Sequence, residues 1–141
     1  QQVAAVATAG IPWASWVAQT MNLPMLYVRP STKEHGQTNQ IEGRLITEET
    51  VLIEDLLSTG DSSLRALDAL RDEDVFVTNI FAIFSYQFPS TIKTLHEYEI
   101  KTSTIVEFGD LLAYAKEYNH LSEEEIRDVL EWQKNPQGWR V

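Results

Sequence analysis

Between Val51 and Ser63 the chain reads VLIEDLLSTGDSS: three aliphatic residues, two adjacent carboxylates (Glu54 and Asp55), two leucines, then hydroxyls around Gly60. A strand that is merely buried has no use for side-by-side acids. Hydroxyls and backbone N–H groups around a glycine, just ahead of a helix, suit a phosphate. The helix N-terminus supplies unpaired donors and partial positive charge, and glycine lets the backbone approach closely or turn with positive φ. The two acids would repel that phosphate, so they make sense only if the same ligand offers hydroxyls nearby, because carboxylates accept O–H donors well. A 5-phosphorylated ribose has that layout. The nucleotide P-loop pattern G-x-x-x-x-G-K-[ST] and the dinucleotide fingerprint are both absent from the sequence.

The spacing of apolar residues indicates what must hold these groups. Val3–Ala7 reads as a short buried strand, Thr8-Ala9-Gly10 as a turn, and Pro12 as an early residue of a helix in which Ala14, Val17, Ala18 and Met21 recur at helical spacing. Met25–Arg29 is a second strand. Residues 30–40 lack aliphatic and aromatic side chains and predict a polar loop. Ile41–Ile46 follows as a strand with Gly43 as a bulge, and Thr50–Glu54 as a third buried strand. Leu64, Leu67 and Leu70 mark a helix, and the β-branched and aromatic run Val75–Phe88 a central strand. A helix at Thr91–Tyr98, a strand at Ser103–Val106 and a helix at Gly109–Tyr118 come next. The capping box Ser122-x-x-Glu125 opens a last helix. This alternation predicts an α/β fold, a mostly parallel twisted sheet covered by helices on both faces, built as one domain over residues 1–141. In such sheets ligands bind beyond the carboxyl ends of the strands. Three polar segments fall at such ends: Thr8–Gly10, Arg29–Gly36 and Glu54–Ser62.

Composition narrows the partners. The chain has 141 residues, is 43% hydrophobic and carries a formal net charge of -10, which disfavours nucleic acid over most of the surface. Residues 1–40 nevertheless hold a single acid, Glu34, against Arg29 and Lys33, so an anion would meet a local basic region in an acidic body. No apolar run reaches the roughly 18 residues of a membrane span, and the start lacks the basic region of a signal peptide. The absence of cysteine rules out disulfides, thiolate chemistry and a Cys-ligated metal, and goes with a cytoplasmic location. No His/Asp cluster has zinc-ligand spacing. His96 and His120 read as surface residues. Trp13, Trp16, Trp132 and Trp139 read as packing residues, the first two partly off their helix's apolar face and suited to a subunit contact. The chain opens on Gln-Gln and an immediate strand pattern, from which missing upstream sequence is expected.

Thr50–Ser62 resembles, position by position, the phosphoribosyl pyrophosphate (PRPP) signature of type I phosphoribosyltransferases. VATAGIP (Val6–Pro12) resembles the pyrophosphate loop of orotate phosphoribosyltransferases, and YVRPSTKEHGQTNQIEG (Tyr27–Gly43) resembles their mobile catalytic loop. The tail EWQKNPQGW (Glu131–Trp139) is similar to the C-terminus of some members. The resemblance implies a type I phosphoribosyltransferase-like fold and transfer of a phosphoribosyl group from PRPP to orotate in de novo pyrimidine (UMP) biosynthesis. It implies ribose binding by Glu54 and Asp55, 5-phosphate binding by Ser58, Thr59, Gly60, Asp61 and Ser62, and pyrophosphate binding by Thr8, Ala9 and Gly10. Lys33, His35 and Arg29 become the catalytic set. Mg²⁺ is implied as a cofactor held mainly by the substrate, with no metal site made by the protein alone. A homodimer with shared active sites is implied as well. The sequence departs from some members at Ala9, where they have Lys, at Pro30, where they have a second base, and in IFSYQFP (Ile83–Pro89), which lacks an Arg that contacts orotate. The family's N-terminal, base-binding portion is expected to be missing. The alternatives are a purine-type transferase, disfavoured by the KEHG loop, and a non-catalytic PRPP-binding regulator, disfavoured by the acidic surface.

Overall fold

The computed structural model describes residues 1–30, 40–46 and 49–139. Six strands form one sheet: β1 (Gln2–Val6), β2 (Met25–Val28), β3 (Ile41–Gly43), β4 (Thr50–Leu57), β5 (Val77–Ser85) and β6 (Lys101–Glu107), in the spatial order β3-β2-β1-β4-β5-β6. Every neighbouring pair is parallel except β2 with the edge strand β3. The helices are α1 (Gly10–Met21), α2 (Asp61–Arg71), α3 (Pro89–Glu97), α4 (Phe108–Glu117) and α5 (Glu123–Lys134), followed by a 3₁₀ turn at Pro136–Gly138.

The two helices nearest the sheet centre lie on opposite faces because the chain reverses its direction of travel. From β1 it crosses through α1 to β2 on one side of β1. From β4 it crosses through α2 to β5 on the other. Right-handed crossovers in opposite directions place their helices on opposite faces. On one face Ala14 and Ala18 of α1 pack on Val3, Ala5 and Ile53. On the other, Leu67 and Leu70 of α2 and Leu95 of α3 pack on Leu26, Leu52, Ile80 and Ala82. All of β1, QVAAV, is buried, as a strand covered on both faces must be.

Some expectations need correction. β4 does not end at Glu54 but continues through both acids to Leu57. Glu54 lies with Leu52 on the α2 side, where Ser62 and Ser63 of α2 reach it. Gly43 is no bulge: it closes β3 opposite Leu26, and the irregular register lies instead between β4 and β5 at Thr50/Val51. β5 is shorter than Val75–Phe88 and is next to the edge strand β6 rather than central.

Nor is the sheet covered on both faces throughout. Among the described residues no crossover returns over β5 and β6 on the α1 side. The result is an apolar groove of about 950 Å³, lined by Trp13, Trp16 and Met21 of α1 and by Val51, Phe81 and Ile105 of the strands, among others. Among the described residues α1 is the only helix that contributes to its lining. Trp16, Phe81 and Ile105 are 60%, 42% and 74% exposed, which is too much apolar surface for a face meant to meet water. Trp13 and Trp16 meet edge to face, 5.2 Å between ring centroids. Among the described residues no helix is long and apolar enough to cross a membrane.

This 141-residue chain alone should therefore bind a hydrophobic dye and self-associate. Phe81→Thr combined with Ile105→Thr should lower both dye fluorescence and light scattering, while the unfolding free energy of each substitution stays within about 0.5 kcal/mol, as for surface positions. Undiminished dye binding would mean that this groove is not the exposed face.

Candidate active site at the carboxyl ends of three strands

Because β2, β1 and β4 are neighbours, their carboxyl ends bring Arg29, Thr8–Gly10 and Glu54–Ser62 to one crevice. The order of the strands reverses between β1 and β4, which is where a doubly wound sheet opens its ligand site. Of the expected segment Arg29–Gly36 only Arg29 and Pro30 are among the described residues.

The β1 end is held by Ala7 N–H donating to Val28 O (2.9 Å) and Ile11 N–H donating to Thr8 O (3.2 Å); the Ala7–Thr8 peptide is cis. A Cβ on Gly10 would stand 2.7 Å from Ile53 O, so only glycine lets the start of α1 lie against β4 beside the acids. Ala9 occupies the N-cap of α1 without a side-chain cap, and the first turn holds no acid, so its N–H groups and dipole have no carboxylate of this helix to neutralise them.

At the β4 end Glu54 is 4% exposed. Its Oε2 accepts from Ser62 Oγ (3.0 Å) and Ser63 Oγ (2.9 Å), both in the first turn of α2. Burial pushes its carboxyl up to about 7; the Ser63 hydroxyl opposes this, neighbouring Asp55 adds to it, and Ser62 opposes it. Asp55 is half-buried. Gly60 caps α2 with φ 82, a conformation that favours glycine. Leu64 N–H donates to Gly60 O (2.8 Å), and Thr59 Oγ1 donates to Asp61 Oδ2 (2.9 Å). The loop is also supported from below, where Thr91 Oγ1 donates to Ser58 O (2.7 Å).

At the β2 end Arg29 exchanges hydrogen bonds with Gln40: its N–H donates to Gln40 O (2.9 Å) and its carbonyl accepts from Gln40 Nε2 (2.7 Å). Its Nε stands 3.4 Å from Glu42 Oε1 on β3. Lys33 and His35, with Gly36, lie outside the described residues. Among the described residues no group of three or more His, Cys, Asp or Glu could hold a metal ion.

Two features escaped the sequence. Thr91 lies 33 positions from Ser58, and nothing local marks it. The β5 end carries an aromatic wall: Tyr86 stacks on Phe88 at 5.2 Å, Trp132 of α5 packs edge-on against both, and Phe108 closes the cluster. Gln133 Nε2 donates to Tyr86 O (2.6 Å) and Tyr86 N–H to Leu57 O (3.0 Å), so α5 is tied to the end of β4. The density of aromatics in IFSYQFP was the available signal.

No family model matches the chain. An orotate phosphoribosyltransferase of Listeria innocua is 45% identical over 138 residues, covering 97% of this chain and 66% of that protein, so the chain spans about two thirds of its relative. Among solved structures, an orotate phosphoribosyltransferase from Aeropyrum pernix superposes with a TM-score of 0.75 at 24% identity, covering 86% of this chain and 66% of the other. The Mycobacterium tuberculosis orotate phosphoribosyltransferase in complex with PRPP gives a TM-score of 0.65 at 18% identity, covering 78% and 64%. The structures share the fold.

The environment of Glu54 predicts a pH dependence. The folded chain holds this proton up to about pH 7, whereas the unfolded chain loses it near the ordinary value of 4.5. Between these values the folded state binds more protons, so stability falls as pH rises through the window and levels off above it. Glu54→Gln cannot ionise. Its stability relative to the unsubstituted chain should rise by roughly 3 kcal/mol from pH 4.5 to pH 8. Urea unfolding at both pH values measures this, and a constant difference would show that the carboxylate is not held in a desolvated place.

Proposed function

This chain belongs to the orotate phosphoribosyltransferase family, and from that premise we propose that its protein transfers the 5-phosphoribosyl group of PRPP to orotate, giving orotidine 5′-monophosphate and pyrophosphate. The observation that carries this reading is the meeting, at one crevice, of a carboxylate pair, a hydroxyl-rich loop at a helix N-terminus, and a second glycine-closed helix start.

In the reaction a bond forms between N1 of orotate and C1 of the ribose. The bond from C1 to the pyrophosphate oxygen breaks, and pyrophosphate leaves with the electron pair. The chain's residues divide that work by chemistry. Glu54 and Asp55 accept from the ribose hydroxyls. Ser58, Thr59, Gly60, Asp61 and Ser62, with the N–H groups that open α2, hold the 5-phosphate. Thr8, Ala9 and Gly10, at the start of α1, bind the pyrophosphate. Arg29, Lys33 and His35 meet the charge that grows on it; a preorganised donor of this kind is worth about 3–4 kcal/mol in the transition state. Mg²⁺ takes one or two carboxylates beside substrate phosphates and keeps several waters. The half-buried Asp55 suits it better than Glu54, which is 4% exposed with one oxygen taken by two serine hydroxyls. Held mainly by the substrate, the ion would neutralise charge on the pyrophosphate.

The functional unit is a homodimer with shared active sites, built on one core domain that spans residues 1–141, and a cytoplasmic setting goes with this reading. The groove beside Trp16 and Phe81 needs a cover, and the part of the relatives' length outside this chain is the piece available to supply it.

The full-length protein with Mg²⁺ should release pyrophosphate from PRPP in the presence of orotate and not of adenine. Asp55→Asn should weaken PRPP binding in calorimetry. Turnover of adenine in place of orotate would move the protein to the purine-type enzymes. Unchanged PRPP binding by Asp55→Asn would remove the role given to the acids.

Sharing of sites has its own test. Lys33→Ala and Asp55→Asn, each nearly inactive alone, should recover about a quarter of normal activity when mixed at random, since half the dimers are mixed and each of those holds one intact site. No recovery despite proven subunit exchange would mean that Lys33 serves its own subunit or has no catalytic role.

A further inference from the structure

We propose that Thr91, outside every segment that touches the crevice by sequence, is a positioning residue for the 5-phosphate loop: its hydroxyl sets the Ser58–Thr59 peptide and so aims Thr59 N–H at the ligand. The inference rests on the assignment of Ser58–Ser62 to the phosphate.

Thr91 is 5% exposed, and its Oγ1 donates to Ser58 O at 2.7 Å. The Ser58–Thr59 peptide is trans, the cis bond being elsewhere. In a trans peptide the carbonyl and the following N–H point in opposite directions. Drawing Ser58 O toward α3 therefore turns Thr59 N–H away from α3; Thr59 itself is exposed. Without the hydroxyl this peptide has no such restraint, and a peptide flip would present a carbonyl to the phosphate instead.

The methyl group of Thr91 makes a second contact. Its Cγ2 lies 3.1 Å from where a Cβ on Gly60 would stand, so it packs under the left-handed residue that caps α2. One side chain thus restrains the loop at two points, with a hydrogen bond at Ser58 and a packed methyl at Gly60. Serine keeps only the first and valine only the second. Thr91 is itself firmly placed. It sits in the first turn of α3, with Pro89 at the helix start, and the preceding N-cap Phe88 is wedged between Tyr86 and Trp132.

The test uses the full-length protein. Thr91→Val keeps the shape and removes the hydroxyl. Its Kd for ribose 5-phosphate and its KM for PRPP should rise about tenfold, the worth of one well-placed hydrogen bond. At saturating PRPP kcat should stay within twofold, because the loop holds the 5-phosphate alike before and during transfer. Thr91→Ser should restore both constants to near the normal value, even if its thermal midpoint is lower. Thr91→Ala is a second hydroxyl-less variant should valine fail to fold, and should match the valine loss. Normal affinity in the valine or alanine variant overturns the proposal. So does a serine variant as weak as valine, which would make the residue a packing element only. A normal full-length protein that binds neither ribose 5-phosphate nor PRPP overturns the phosphate-loop assignment and this proposal with it, whereas normal binding with an indifferent Thr91 overturns this proposal alone.

Discussion

A right-handed crossover can lie on only one face of a parallel sheet once its direction is given. Most of this structure follows from that constraint and from one reversal of direction between β1 and β4. The reversal places α1 and α2 on opposite faces and leaves their N-termini at the same edge of the sheet. Two helix starts then flank one crevice, that of α1 with no acid in its first turn and that of α2 with Asp61. The same reversal leaves the α1 face bare over β5 and β6, since among the described residues no later crossover returns there, and Trp16, Phe81 and Ile105 stay exposed.

Close approach is what turns this topology into a site. Gly10 brings the start of α1 to within van der Waals reach of the β4 backbone, and Gly60 lets the chain turn from β4 into α2 with positive φ. Any side chain at Gly10 would meet Ile53 O and push the two helix starts apart. The site's geometry is therefore set mainly by backbone, which suits the recognition of phosphates by N–H groups.

The two adjacent acids act on each other but differ in burial. Glu54 is pressed under α2, where burial raises its carboxyl to about 7 and two serine hydroxyls satisfy one of its oxygens. Asp55 remains half-buried. Ser62 Oγ donates to Glu54, so the carboxylate and the hydroxyl-rich loop that opens α2 are connected by a hydrogen bond.

The sequence by itself determined the elements and the family. Apolar spacing located each strand and helix to within a few residues, and the hydroxyl-and-acid run at Thr50–Ser62 carried its chemistry locally, because backbone capping, charge and glycine freedom act over a few positions. Tertiary structure decided what depends on register and crossover. That includes the burial of Glu54 against α2, the pairing of Arg29 with Glu42 across β2 and β3, the aromatic wall that joins Tyr86 to Trp132, and the bond from Thr91 to Ser58. It also decided that half of one sheet face would stay bare, which periodicity could not show, since an apolar residue reads the same whether a helix covers it or not. These contacts join residues far apart in the chain, and their geometry exists only once the strands are laid side by side.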